Sequence, residues 1–259
     1  MLADSHCHLD RIDLSSFNNQ LSNAIKAANK EGVKHFLCVA INSENQKAVI
    51  NIAESHPNIY ASVGIHPLYT KGESTSVKSL AKVAAHPKVV AIGETGLDYF
   101  YDADSKQQQL LLFRTHVQAA VDVGLPLIIH TRDAREDTLR VLKEEGAEKV
   151  GGVLHCFTES LEMAEEAMKM GFYVSFSGIV TFNNADELRE VAKIIPNDRI
   201  LVETDSPYLT PKPFRGKPNS PMYVTQVAKL LAELRNQNYD DFCRMTTENY
   251  FRLFKINNS

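Results

Sequence analysis

Met1-Leu2-Ala3-Asp4-Ser5-His6-Cys7-His8 is a short apolar run that ends in two histidines one residue apart. Side chains alternate between the two faces of a strand, so His6 and His8 point one way and Cys7 the other, and such a pair can grip one ion. Further along, other short apolar runs close on Glu94, His130, His155 and Asp205. Four imidazoles and two carboxylates at strand ends predict a single metal site assembled from five strands.

Eight runs of strand length can be read: Leu2 to Ser5, Val33 to Ile41, Ile59 to Ile65, Val89 to Gly93, Leu125 to His130, Gly152 to Cys156, Phe172 to Ser177 and Ile200 to Glu203. Several are almost continuously apolar, as strands buried on both faces of a parallel sheet are. Between them lie segments of helical spacing. The clearest runs from Ser105 to Val123, where Leu110, Phe113, Val117 and Ala120 recur at intervals of three and four. Ser105 with Gln108 suggests a capping box, and Gly124 before Pro126 a stop; Gly32, Gly146 and Gly171 are similar stops.

Strands alternating with helices build either an open doubly wound sheet or a closed (β/α)8 barrel. An open sheet gathers its ligands at one switch point, whereas here strands 1, 3, 4, 5, 6 and 8 all end in functional groups, and only closure brings those ends together. The expected fold is therefore α/β, a (β/α)8 TIM-type barrel. Such barrels run to about 250 residues as one unit, so the 259 residues are expected to form a single domain. A further helix, about Tyr239 to Phe254, would cap the outside or base.

With 44% hydrophobic and 23% charged residues, the chain has material for one large core. No signal-peptide pattern is visible and no run approaches the ~18 apolar residues of a membrane span, so no membrane partner is expected. Cys7, Cys38, Cys156 and Cys243 lie far apart without metal-pair spacing, which suits small buried residues and a reducing cytoplasm. A net charge of -4 excludes binding nucleic acid by overall basicity. Two divalent ions would cancel that charge and concentrate positive potential in the cleft.

Six ligand-type groups exceed what one four-coordinate ion needs, so two ions are the better count. In this reading His6, His8 and Asp205 hold one, His130 and His155 the other, and Glu94 bridges them. Two ions ~3.5 to 4 Å apart lower the pKa of water and stabilise both attacking and leaving oxygens, so the expected reaction is hydrolysis. Asp205 doubles as proton acceptor, and Glu203, two residues earlier, can orient a ligand imidazole. Arg132 and His66 face the same cleft as candidate phosphate donors, the guanidinium fork being suited to a phosphodiester. The loop Ser206 to Pro221 holds five prolines with Lys212, Arg215 and Lys217, and reads as a stiff basic rim. His35, His56, His86 and His116 are expected to be structural or exposed.

These motifs resemble the TatD-type metal-dependent deoxyribonucleases, within the wider amidohydrolase-like group of metal barrels, over nearly the whole chain. The resemblance rests on Asp4-Ser5-His6-Cys7-His8-Leu9, Gly64-Ile65-His66-Pro67, Ile92-Gly93-Glu94-Thr95-Gly96-Leu97-Asp98-Tyr99, His130-Thr131-Arg132, His155-Cys156-Phe157 and Glu203-Thr204-Asp205-Ser206-Pro207-Tyr208-Leu209. It implies a (β/α)8 barrel, divalent-metal dependence, and hydrolysis of DNA phosphodiesters by a 3′ to 5′ exonuclease preferring single strands. It also implies ligand roles for His6, His8, Glu94, His130, His155 and Asp205. Many amidohydrolase relatives bridge their ions with a carbamylated lysine, but here Glu94 fills that place, which favours the nuclease branch. Family members are described as magnesium-dependent, yet four imidazoles favour zinc or manganese. Ser220 stands in Arg215-Gly-Lys-Pro-Asn219-Ser220-Pro221 where the family usually has an acid. The competing expectations are an amidohydrolase or phosphoesterase for a small molecule, and a scaffold holding ions structurally.

Overall fold

A computed structural model describes residues 1–257. Eight parallel strands follow one another around a single sheet in sequence order: β1 Leu2–Cys7, β2 Val33–Cys38, β3 Ile59–Val63, β4 Val89–Asp98, β5 Leu127–Arg132, β6 Gly152–Leu154, β7 Phe172–Phe176 and β8 Ile200–Val202. Helices α1 Leu21–Lys30, α2 Gln46–Glu54, α3 Val77–Ala84, α4 Lys106–Val123, α5 Arg135–Glu144, α6 Leu161–Lys169, α7 Asp186–Ile194 and α8 Val224–Leu234 alternate with them, and α9 Tyr239–Phe254 follows. The expected barrel is present. Its seam between β1 and β8 is closed beyond the strand ends, where the Asp205 amide donates to the His6 carbonyl (2.9 Å) and the His8 amide to the Ser206 carbonyl (2.8 Å).

Alternation divides the core into two layers. Leu2, Phe36, Leu127, Ile129, Leu154, Val174 and Val202 face outward beneath the helices. Ala3, Leu37, Ile128, Val153, Tyr173 and Leu201, one residue out of phase, fill the interior. Tyr250, Phe251, Leu253 and Phe254 of α9 join that interior layer. The last helix therefore plugs the barrel's base, leaving the strands' C-terminal ends for chemistry.

Several boundaries differ from expectation. β4 runs on to Asp98 instead of ending at Gly93, because its residues pair with β5 from Thr95↔Ile129 to Asp98↔Arg132. β1 reaches Cys7 and β5 reaches Arg132, so His6 and Glu94 lie within strands rather than after them and His130 lies inside β5 rather than at its end. β2 stops at Cys38 and not at Ile41. The capping box at Ser105 is absent: its hydroxyl donates to the Asp102 carbonyl and receives Gln109, while Gln108 bonds the Thr70 carbonyl. The four glycine stops hold, with Gly32, Gly124, Gly146 and Gly171 all at positive φ as a left-handed helix end requires.

Candidate metal centre

Strand phase alone would not deliver all of these ligands to the cleft. Ala3 faces the interior, so strict alternation would turn Cys7 inward and His6 outward. A one-residue register shift between Asp4 and Cys7 reverses the phase: Cys7 packs in the outer layer, while His6 and His8 face in. A second shift lies between Ile92 and Thr95, so Glu94 faces the cleft although Ile92 faces the helices. Gly93 permits it, because a Cβ there would stand 2.6 Å from the Ile128 carbonyl oxygen and φ is +147°. Asp205, just past β8, is turned in at φ 54°. The Thr204 amide (2.9 Å) and hydroxyl (2.6 Å) tie this turn to the Asp4 carboxylate.

The six side chains meet around Glu94. Its Oε2 lies 3.4 Å from His6 Nε2 and 4.0 Å from His8 Nε2, both of which lie within 3.6 Å of Asp205 Oδ1. Its Oε1 lies 2.8 Å from His155 Nε2, 3.2 Å from His130 Nδ1 and 3.2 Å from His66 Nε2. One carboxylate thus divides its two oxygens between two groups of imidazoles, as a bridge must.

Outer partners orient the rings. His8 Nδ1 donates to the Val39 carbonyl (3.0 Å), His155 Nδ1 to Glu203 Oε1 (3.3 Å) and His130 Nε2 to Asp98 Oδ2 (3.1 Å). In each case the other nitrogen is turned to the cluster, the arrangement of a metal-binding histidine. Both nitrogens of His6 are buried without a hydrogen-bond partner. An imidazole orphaned among carboxylates costs about 1 to 3 kcal/mol unless something else satisfies it, and a divalent ion would. The donor set and these orphaned atoms fit metal. Glu203 serves as the expected acceptor and also receives the Cys156 amide (2.8 Å).

His66 differs from the other four. Its Nδ1 accepts the Leu68 amide (3.1 Å), so the neutral ring carries its proton on Nε2, the atom facing Glu94 and His130. Burial lowers its pKa and keeps it neutral. His66 points a donor, not a lone pair, into the site. Burial likewise lowers His6, whereas for His155 burial is outweighed by Glu94 and Glu203, which hold it well above the usual histidine value. Burial also opposes the charge on Glu94, yet the charge on His155 and the polar ring atoms of His66 and His130 around it keep it far below the usual carboxylate range.

These residues floor a cleft of about 580 Å³, also lined by Arg11, Arg132 and Arg135. Arg135 is paired with Glu159. Arg132 has no carboxylate within ion-pairing distance among the described residues; its guanidinium instead stacks 4.2 Å from the Phe100 ring centre and 4.6 Å from that of Tyr101. Sequence reasoning overlooked Asp98, which lies beyond the expected end of β4, and the rim aromatics.

The basic-rim expectation is not met in geometry. Lys212, Arg215 and Lys217 do not line the cleft: Lys212 bonds Asn183, Arg215 bonds its own loop at the Thr210 carbonyl (3.1 Å) and covers Phe182, and Lys217 lies over Phe214. The loop works from within, where Asn219 donates to the carbonyls of Thr204 (2.9 Å) and Tyr208 and so fixes the turn of Asp205. Ser220, at the departure from the family pattern, is buried with an unbonded hydroxyl. The remaining histidines are structural as expected: His116 receives the Ile65 amide (3.0 Å), His86 pairs with Glu54 (3.0 Å), His56 bonds the Ile52 carbonyl (3.2 Å) and His35 packs on Phe251.

The family model described as TatD related DNase matches residues 3–255. The chain belongs to that family. Its TatD-type relatives include a Bacillus subtilis (strain 168) protein named as an uncharacterized metal-dependent hydrolase, YabD, 47% identical across 99% of this chain and 100% of that protein. Escherichia coli (strain K12) YcfH, which carries the same description, is 45% identical across 100% of this chain and 97% of its own. Among solved TatD structures, the YjjV homologue of Escherichia coli K12 superposes with a TM-score of 0.91 at 30% identity, covering 99% of this chain and 98% of that one. The protein is a metal-dependent hydrolase of the TatD type.

Proposed function

We propose that this hydrolase cleaves DNA phosphodiester bonds as a 3′ to 5′ exodeoxyribonuclease preferring single strands, its single barrel holding two divalent ions. The observation that carries the two-ion reading is the division of the Glu94 oxygens between His6 and His8 on one side and His130 and His155 on the other. His6, His8 and Asp205 would hold one ion, His130 and His155 the second, and Glu94 both. Imidazole-rich ligation favours zinc or manganese over magnesium. When bound, the ions supply Lewis acidity and a lowered pKa for water.

The chain's own groups do the rest. Asp205, whose carboxylate is 13% exposed at the cleft floor, accepts the proton of the attacking water and returns it to the leaving oxygen. Arg132, held by aromatic faces with its N–H donors unclaimed by any carboxylate among the described residues, grips the phosphate, and His66 Nε2 offers a second donor. The phosphodiester reading rests on that free guanidinium. Four unbridged cysteines and the absence of any helix long and apolar enough to cross a membrane among the described residues support a reducing, cytoplasmic setting.

A second reading, hydrolysis of a small ester, amide or phosphoester, is favoured by a cleft volume typical of small-molecule sites. End-labelled single-stranded DNA assayed beside small esters and amides separates the two. Progressive shortening from the 3′ end, abolished by Asp205→Asn in folded protein, is expected. Intact DNA with rapid small-substrate turnover overturns the nuclease reading.

A further inference from the structure

Exposed aromatic rings are costly to keep on a surface, and here they gather in one place. Among the described residues, the aromatic side chains with large exposed area are Tyr69, Phe100, Tyr101 and Tyr208, at 38%, 57%, 62% and 49%. Tyr69, Tyr101 and Tyr208 line the cleft mouth, and Phe100 packs edge-on against Tyr101. They come from three loops, after β3, β4 and β8. Their clustering belongs to the site, not to random surface composition.

Two of them stand beside the ligand cluster at its two ends. The Tyr208 ring centre is 6.0 Å from that of His8, and the Tyr69 ring centre is 6.1 Å from that of His66. Tyr208 thus neighbours the His6, His8 and Asp205 group, and Tyr69 the His66, Glu94 and His130 group. Phe100 and Tyr101 already have a partner in Arg132. Among the described residues, Tyr208 has no ring or cation stacked on it other than His8, and Tyr69 meets only the edge of His66 and Arg11 at 5.9 Å. A phosphate held between the two ends would put the groups on its ester oxygens against these two free rings.

We propose that Tyr69 and Tyr208 are base-stacking residues, so that the enzyme requires unstacked nucleobases flanking the phosphate it cuts. This rests on the nuclease reading and adds to it a residue-level source of strand preference. Every base has a π-face, so the selection is against duplex and against base-free diesters and not for a particular sequence. Arg132 and Arg11 next to the rings serve the backbone of the same strand.

The test compares a fluorescent single-stranded oligonucleotide with one of equal length carrying a run of tetrahydrofuran abasic residues at its 3′ end. Wild type, Tyr69→Leu and Tyr208→Leu keep similar apolar bulk at exposed positions, while Tyr69→Phe and Tyr208→Phe keep the ring. Wild type should favour the base-containing strand in kcat/KM by roughly tenfold to a hundredfold. Each Leu variant should lose most of that preference through a fall in kcat/KM on the base-containing strand, and each Phe variant should retain it. Equal cleavage of both strands by wild type, or Leu variants that keep the preference, overturns the stacking role while leaving the nuclease reading standing. Anisotropy titration of the same oligonucleotides decides the matter without turnover. If no DNA is cut, the nuclease reading fails by itself, and stacking stands or falls on whether wild type binds the base-containing strand more tightly and the Leu variants do not.

Discussion

Asp98 Oδ2 receives a hydrogen bond from His130 Nε2 across 3.1 Å, and this contact decides which nitrogen of the ring faces Glu94. Asp98 is itself held by two backbone contacts, donating its amide to Gln109 Oε1 and accepting the Tyr101 amide, both at 2.8 Å. Its carboxylate therefore cannot swing away with the ring. Asp98→Asn keeps the size and loses the charge, so His130 becomes a weaker base and its tautomer is no longer enforced. Metal affinity should fall about 10- to 100-fold while the fold survives. Titration with zinc or manganese, monitored by calorimetry, would show it; an unchanged dissociation constant would remove Asp98 from the site.

The Leu68 amide on His66 Nδ1 separates a proton donor from a ligand. His66→Asn should lower kcat by roughly 10²- to 10⁴-fold, the range of a lost proton-transfer or charge-stabilising group. Metal content by elemental analysis should stay at the wild-type value. Loss of one ion equivalent in this variant would make His66 a ligand and contradict the tautomer assigned by the hydrogen bonds.

His116 gives a stability prediction away from the ligands. It is fully buried in α4, where Nδ1 donates to the Leu112 carbonyl (2.6 Å) and Nε2 receives the Ile65 amide (3.0 Å). Burial lowers its pKa to about 4, below the usual 6.5. The unfolded chain then binds a proton that the folded chain refuses, so its contribution is full above pH 6.5 and is lost as pH falls towards 4. Between pH 7.5 and pH 5 this amounts to about 2 kcal/mol. Urea unfolding at both values should give a pH-dependent loss smaller by that amount in His116→Gln. Identical losses in the two proteins would show that His116 is not the titrating group.

Phe254 tests the plug at the barrel's base. It is 2% exposed and packs with Tyr250 at a ring separation of 5.2 Å, inside the layer that holds Ile128, Val153 and Leu201. Phe254→Ala should cost about 3 to 5 kcal/mol, since the barrel walls cannot collapse to fill the space. The folded fraction should keep its metal affinity, because the ligands lie at the opposite ends of the strands. A parallel fall in affinity would mean the two ends are coupled.

The barrel was legible because burial on both faces writes continuous apolar runs, and the six candidate ligands that the structure brings together were legible because metal ligation needs few residue types. The phase of those ligands was not. His6 and His8 share a face as alternation demands, but that face is the interior only because of the bulge between Asp4 and Cys7, which has no glycine to announce it. The bulge at Glu94 did carry a signal in Gly93, and Gly96, where a Cβ would come within 1.9 Å of the His130 carbonyl oxygen, marks β4 running on alongside β5. Read that way, Asp98 could have been placed beside His130. The stacking rings could not, since exposure of Tyr69 or Tyr208 depends on how three separate loops end.

The joint between Asp4 and Thr204 links positions 200 apart, and the Asp205 amide bonds the His6 carbonyl beside it. Loop-closure entropy makes such a long-range junction among the slowest parts of a chain to assemble, with contacts between neighbouring strands forming first. One corner of the candidate cation site is therefore complete only where the two ends of the barrel meet. A cation held by His6 and Asp205 would span that junction and act as a rivet across the two ends of the chain.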